Sequence, residues 1–198
     1  MFSINRLFYL SFKVKLQFFK TFLLPHFDYC LSLCIYFSKT VLSKLFKCYF
    51  IVLNKLFKFD FSNMNLSSIN NYLKKYGLFC FHYRVLYRLL LFSHKIVNSK
   101  SGPICLKEAL SFKELSMIPY NLRSNIQFSI ESCRTHYGDL TFHAFFSKLL
   151  NNSCINQIND SIINFKSFIS LNLDTLVGKF LKIFPKFNID LPNLFVKL

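Results

Sequence analysis

Leu42-Ser43-Lys44-Leu45-Phe46-Lys47-Cys48-Tyr49-Phe50-Ile51-Val52-Leu53-Asn54-Lys55-Leu56-Phe57 is the stretch that decides the fold class. Leu42, Leu45, Phe46, Tyr49, Phe50, Leu53, Leu56 and Phe57 recur at three- and four-residue steps, the spacing of one side of an α-helix. Lys44, Lys47, Asn54, Lys55 and, just beyond, Lys58 fall between them and give the opposite side a basic stripe. An apolar face this wide is stable only when packed on a second one, so the stretch predicts an amphipathic helix within a helical bundle.

The same reading extends in both directions. Upstream, apolar residues continue back to Leu7. Pro25, which lacks an N–H and crowds the preceding turn, is expected to end a helix over 11–22 before a short one near 26–37. Downstream, 63–68 is a polar break. Ser67 or Ser68 is placed to cap a helix through Lys75 that stops near Gly77, where a left-handed backbone is cheap. From Leu78 to Val97 the line Phe81, Val85, Leu89, Phe92, Ile96 predicts a further helix flanked by Arg84, Arg88 and Lys95.

Asn98-Ser99-Lys100-Ser101-Gly102-Pro103 is the clearest loop and the expected subdomain boundary. Beyond it Ile104 to Leu110 reads as a short helix and 116–137 as irregular or extended. Gly138-Asp139 followed by 140–146 reads as a short strand turning into helix. Asp160 to Leu173 regains helical spacing through Ile162, Ile163, Phe165, Phe168 and Ile169. The expected organisation is mainly α: a basic helical region over 1–100, a smaller and less regular helical module over 104–173, and an irregular tail over 174–198.

Composition sharpens this outline. Of 198 residues, 53% are hydrophobic and 19% aromatic, with only 4 Gly and 5 Pro, a mixture that favours packed helices over disorder. The 27 Phe stand beside many Lys, Asn and Ile, all of AT-rich codons, so base composition accounts for part of the excess. The net charge of +16 sits mostly in residues 1–100, which hold 15 Lys and Arg against Asp28 and Asp60, while residues 101–198 hold 10 against 7 acids. Such a surplus attracts polyanions, either phosphate backbones or anionic headgroups.

The seven cysteines are scattered and form no Cys-x-x-Cys pair, so reduced, buried thiols are expected, in keeping with an intracellular protein, nuclear or cytoplasmic. The apolar run Leu7–Leu10 is too short for a signal-peptide core, and secretion is not expected. Windows 21–42 and 85–97 come nearest to membrane spans. The first is broken by Pro25, His26, Asp28 and Lys39, and the second is short and carries Arg88, His94 and Lys95. A multipass membrane protein therefore stands as an alternative to a stand-alone nucleic-acid-binding protein.

Nine acids are spread singly, with no paired carboxylates, no Walker loop and no His-Glu-x-x-His, so no catalytic set is assigned. Cys80-Phe81-His82 brings two potential ligands together without the partners zinc requires, and core residues are the expected reading. His26 to Cys30 reads as a helix start with Asp28 near the dipole. Lysines and arginines interleaved with aromatics such as Tyr49 and Tyr87 suit a nucleic-acid groove, and Lys44, Lys47, Lys55, Arg84 and Arg88 are the expected phosphate contacts.

Five stretches, taken in order, resemble the region that follows the palm in reverse transcriptases of jockey-like non-LTR retrotransposons. Val14 to Cys30, with Pro25, Asp28 and Tyr29, is similar to that family's helix ending in a proline, then an aspartate and a tyrosine. Leu42-Ser43-Lys44-Leu45-Phe46-Lys47 stands where the family has Leu-x-Lys-Leu-Gln-Lys. Leu86 to Asn98 with Pro103, Arg134 to Phe142, and Ile162 to Phe168 resemble its next three segments. Phe146 to Asn152 departs from the family's Leu-Trp-Asn-x-Leu-Pro, and the chain has no Trp.

The resemblance covers about residues 6–172 and implies a thumb-like helical bundle that grips a template-primer duplex of RNA or DNA through phosphates, beside fingers and palm. It implies no small-molecule substrate. Tyr-x-Asp-Asp is absent from the chain, so no cofactor is expected on these residues. The Mg²⁺ of nucleotidyl transfer belongs to a palm, and the chain is expected to be inactive by itself.

Overall fold

The structure, a computed structural model, describes residues 9–29, 31–61, 64–99, 102–110, 141–153 and 158–189, with the single positions 128, 130, 135 and 138. Its elements are helical: α1 (Phe12–Phe18), a π-helical turn (Phe19–Leu23), α2 (Leu24–Asp28), a 3-10 turn (Leu31–Tyr36), α3 (Lys39–Phe57), α4 (Leu66–Lys74), α5 (Phe81–Asn98), α6 (Ile104–Ala109), α7 (Phe142–Ser153), α8 (Ile162–Ile183) and a closing 3-10 turn (Pro185–Phe187). The mainly α class is as expected. The readings for 116–137 and 138–140, and most of the stretch Arg134 to Phe142, lie outside the described residues.

Pro25 does not separate two helices. The chain stays helical from Phe12 to Asp28, and the turn before the proline widens instead: the Leu24 N–H bonds to the Phe19 carbonyl, five residues back. Pro25 has no proton for the Thr21 carbonyl and its ring would press on it, and a π turn at that place relieves the crowding. Asp28 consequently lies at the end of a helix and not at its start, which reverses the dipole argument for it. Tyr29 then turns extended and stops the helix.

α3 carries the predicted core line. Leu42, Phe46, Tyr49, Phe50, Leu53 and Leu56 are buried. Ser38 caps its start by accepting from the Val41 N–H at 3.3 Å. α4 begins after Asn65, two or three residues earlier than the serines suggested, and Ser67 and Ser68 sit on its exposed side. Its end is as expected: Gly77 takes φ +66°. The Leu78 N–H bonds to the Leu73 carbonyl at 3.1 Å and the Gly77 N–H to the Lys74 carbonyl at 3.0 Å, with Leu73 and Leu78 both buried beneath the turn.

The chain forms two compact units, one of residues 1–85 with 184–198 and one of residues 86–183. The division falls inside α5, not in the loop at 98–103, because the first turn of α5 supplies Phe81 to the first core while Leu86, Leu89 and Leu90 belong to the second unit. In the first unit Phe81 meets Phe46 at 4.5 Å and Tyr49 at 5.1 Å between ring centroids. In the second unit α7 packs on α8. The His94 ring lies on Phe165 at 4.4 Å, its Nε2 is 2.8 Å from the Asp160 carbonyl, and Asn98 donates to the Ile158 carbonyl at 2.7 Å.

The irregular tail expected over 174–198 is ordered as far as it is described. α8 runs to Ile183 because Phe165, Ile169, Leu173, Leu176, Val177 and Phe180 continue one buried line. Gly178 lies on the exposed side of the helix and is carried through. Phe184, Phe187 and Ile189, around Pro185, are buried in the first unit, and Lys186 donates to the Ile35 carbonyl.

Candidate nucleic-acid interface

α3 positions the basic stripe. At 100° per residue Lys44, Lys47 and Lys55 cluster on the side opposite Leu42, Phe46, Tyr49 and Leu53, with Ile51 among them, and Lys58 follows at the helix C-cap. Lys44, Lys55 and Lys58 are exposed and Lys47 is half-buried. From Lys44 to Lys58 the row is about 21 Å long at about 1.5 Å per residue. Residues Lys39–Phe57 include no Asp or Glu, so the helix does not neutralise its own stripe. The nearest acid in sequence, Asp60, accepts from the Asn54 amide at 3.2 Å.

Lys58 was not among the expected contacts. The signal for it was its three-residue step from Lys55. It also closes α3 in the left-handed region at φ 51° and ψ 37°, a conformation that costs a lysine about 1–2 kcal/mol and a glycine almost nothing.

The five expected phosphate contacts fall on different elements. Lys44, Lys47 and Lys55 stand together on α3. Arg84 is buried in the first unit, its Nε and Nη2 donating to the two carboxylate oxygens of Asp28. Arg88, one turn further along α5, is exposed and belongs to the second unit. Sequence spacing put Arg84 beside the apolar line but could not supply its partner 56 residues away. That partner also settles Asp28, whose charge at a helix C-terminus is unfavourable until a cation meets it.

Tyr49, one of the interleaved aromatics, is closed to bases: its ring is buried and its hydroxyl donates to the Phe79 carbonyl at 2.8 Å. Burial pushes that hydroxyl well above the usual tyrosine range. Cys80 and His82 are core residues. Burial pushes the Cys80 thiol up to about 12 and the His82 imidazole down to about 3, the latter against a weaker opposing contact with the Phe187 backbone. Of the described cysteines, all free thiols, Cys34 and Cys80 are buried as expected, whereas Cys48 and Cys105 are exposed.

No group of three His, Cys, Asp or Glu among the described residues could hold a metal ion. An open groove of about 710 Å³ runs along the outer side of α1 and the π turn, between Val14, Phe18 and Phe22. Its lining has no carboxylate, imidazole or thiol, so it offers no acid, base or nucleophile. No helix among the described residues is long and apolar enough to cross a membrane. No protein family, curated protein or solved structure matches the chain.

Proposed function

We propose that the first unit binds nucleic-acid backbones through the lysine stripe of α3, without reading sequence. On this reading the chain is a non-catalytic, post-palm part of a jockey-like non-LTR reverse transcriptase. The observation that carries the binding is Lys44, Lys47 and Lys55 on one side of a helix that has no acid of its own, with Lys58 at its C-cap. The first unit as a whole holds 14 Lys and Arg against Asp28, Asp60 and Asp190, and Asp28 is already paired with Arg84. Lysines at such spacing bind phosphates as point charges, and the gain comes from released counterions and not from base contacts. The polymerase setting rests on the ordered resemblance of the sequence segments.

Lys44→Glu with Lys55→Glu tests the proposal. Both side chains are exposed and outside the core, so the urea midpoint is expected to hold while affinity for any oligonucleotide falls more than about tenfold at low salt. Unchanged affinity in a folded double variant removes the stripe as the binding surface.

A further inference from the structure

The stripe of α3 runs into a cluster of rings at the C-terminal ends of α3 and α4. Phe57 stands at its centre, with ring centroids 5.0 Å from Tyr76, 5.6 Å from Tyr72 and 5.4 Å from Phe12. Phe59 lies 6.1 Å from Tyr72 with the planes only 21° apart, and 5.1 Å from the fully buried Phe61. Phe57, Tyr72 and Tyr76 are half-buried, and Phe61 alone of these rings is core. The outer ones are open: Phe59 is 47% and Phe12 40% exposed. Exposed lysines neighbour them in sequence: Lys55 and Lys58 at the end of α3, Lys74 and Lys75 at the end of α4, and Lys13 next to Phe12. Lysines in the last turn of a helix also suit its dipole, which accounts for one or two at each end but not for rings left in water beside them. The one acid in this part of the chain is Asp60.

We infer that this cluster is a stacking platform for unpaired bases, and that the ligand of the first unit is a single strand, or the single-stranded part of a junction, whose phosphates lie along the α3 lysines. Every base has a flat π-face, so a ring platform accepts bases without sequence preference, and a cationic border holds the backbone on either side. In a duplex those faces are already stacked on one another, so Phe59 gains nothing from them. The row from Lys44 to Lys58, about 21 Å, matches roughly six residues of a stacked strand at about 3.4 Å each and delivers its end to Phe59. This inference rests on the phosphate-binding reading above and adds to it the kind of nucleic acid.

The chain has no Trp, so Phe59→Trp places a single tryptophan reporter on the platform while keeping a stacking ring. The full chain is titrated against fluorescein-labelled dT15, a 15-base-pair duplex, and phosphatidylserine vesicles. The expected result is that Phe59→Trp binds dT15 as the parent does and that dT15 alone quenches its emission. Phe59→Ala is expected to lose about five- to hundredfold in dT15 affinity with little change toward the duplex.

A Phe59→Ala variant that keeps its dT15 affinity, or tryptophan emission that answers equally to duplex, overturns the platform. The phosphate reading then survives if Lys44→Glu with Lys55→Glu still weakens binding. Quenching by vesicles and not by dT15 overturns it in favour of a lipid surface. Absence of binding to both nucleic acids at low salt fails the phosphate reading itself, and the platform with it.

Discussion

Asp28→Ala probes the one contact that turns an expected phosphate ligand into a structural residue. The carboxylate of Asp28 receives two bonds from the Arg84 guanidinium, and the side chains are 17% and 11% exposed, respectively. Removing one partner of a buried ion pair costs about 3–5 kcal/mol, chiefly because the remaining charge is stranded. Partial access of water to Arg84 places this site near the lower end, about 3 kcal/mol. A second change, Arg84→Met, removes the stranded charge, keeps an apolar stem of similar length, and is expected to recover most of the loss. Urea denaturation of the parent, both single variants and the double variant gives the coupling from midpoints at constant slope. A loss below about 0.5 kcal/mol in Asp28→Ala, or additive single effects, would refute the pairing.

Three further outcomes follow from particular positions. Lys58→Gly exchanges a left-handed lysine for the residue that tolerates the conformation, and after the entropy cost of glycine should raise stability by about 0.5–1 kcal/mol in urea while weakening oligonucleotide binding. Gly178→Ala, in the exposed side of α8 with no atom within 4 Å of the added Cβ, should stabilise by about 0.5–1 kcal/mol by the same measurement. His82 has its folded value lowered to about 3, so the unfolded chain binds the extra proton between that value and the ordinary 6.5. Its contribution is complete above about pH 6.5 and is lost as pH falls toward 3, on the order of 2 kcal/mol at pH 5. Denaturation midpoints at pH 7.5 and 5 should differ accordingly, and His82→Phe should flatten the difference.

Much of the helical framework was legible because periodicity depends on neighbours three and four residues apart. α3 shows this best, since its buried line, its lysine side and its length all follow from Leu42 to Lys58. The end of α4 at Gly77 was equally local. Pro25 was misread because the rule for proline describes a break, whereas a single widened turn absorbs the same steric conflict within a continuous helix. The tail over 174–198 departs from its irregular reading because an exposed Gly178 costs a helix less than the buried line through Leu176, Val177 and Phe180 gains.

The candidate site was legible only on α3. Arg84 and Asp28 are 56 residues apart, and nothing in the spacing of either announces the other. The ring cluster was hidden too, because Phe12, Phe59 and Tyr72 come from separate segments and a Phe-rich composition gives none of them distinction.

Binding by the lysine stripe is tested most directly by the salt dependence of oligonucleotide affinity. With Lys44, Lys47, Lys55 and Lys58 on phosphates, log K for dT15 against log salt should fall with a slope near −3, at about −0.7 for each contact, and replacing Lys44, Lys47 and Lys55 by Gln should reduce that slope by about two. A slope near zero, or a steep slope that the three substitutions leave unchanged, would contradict the account.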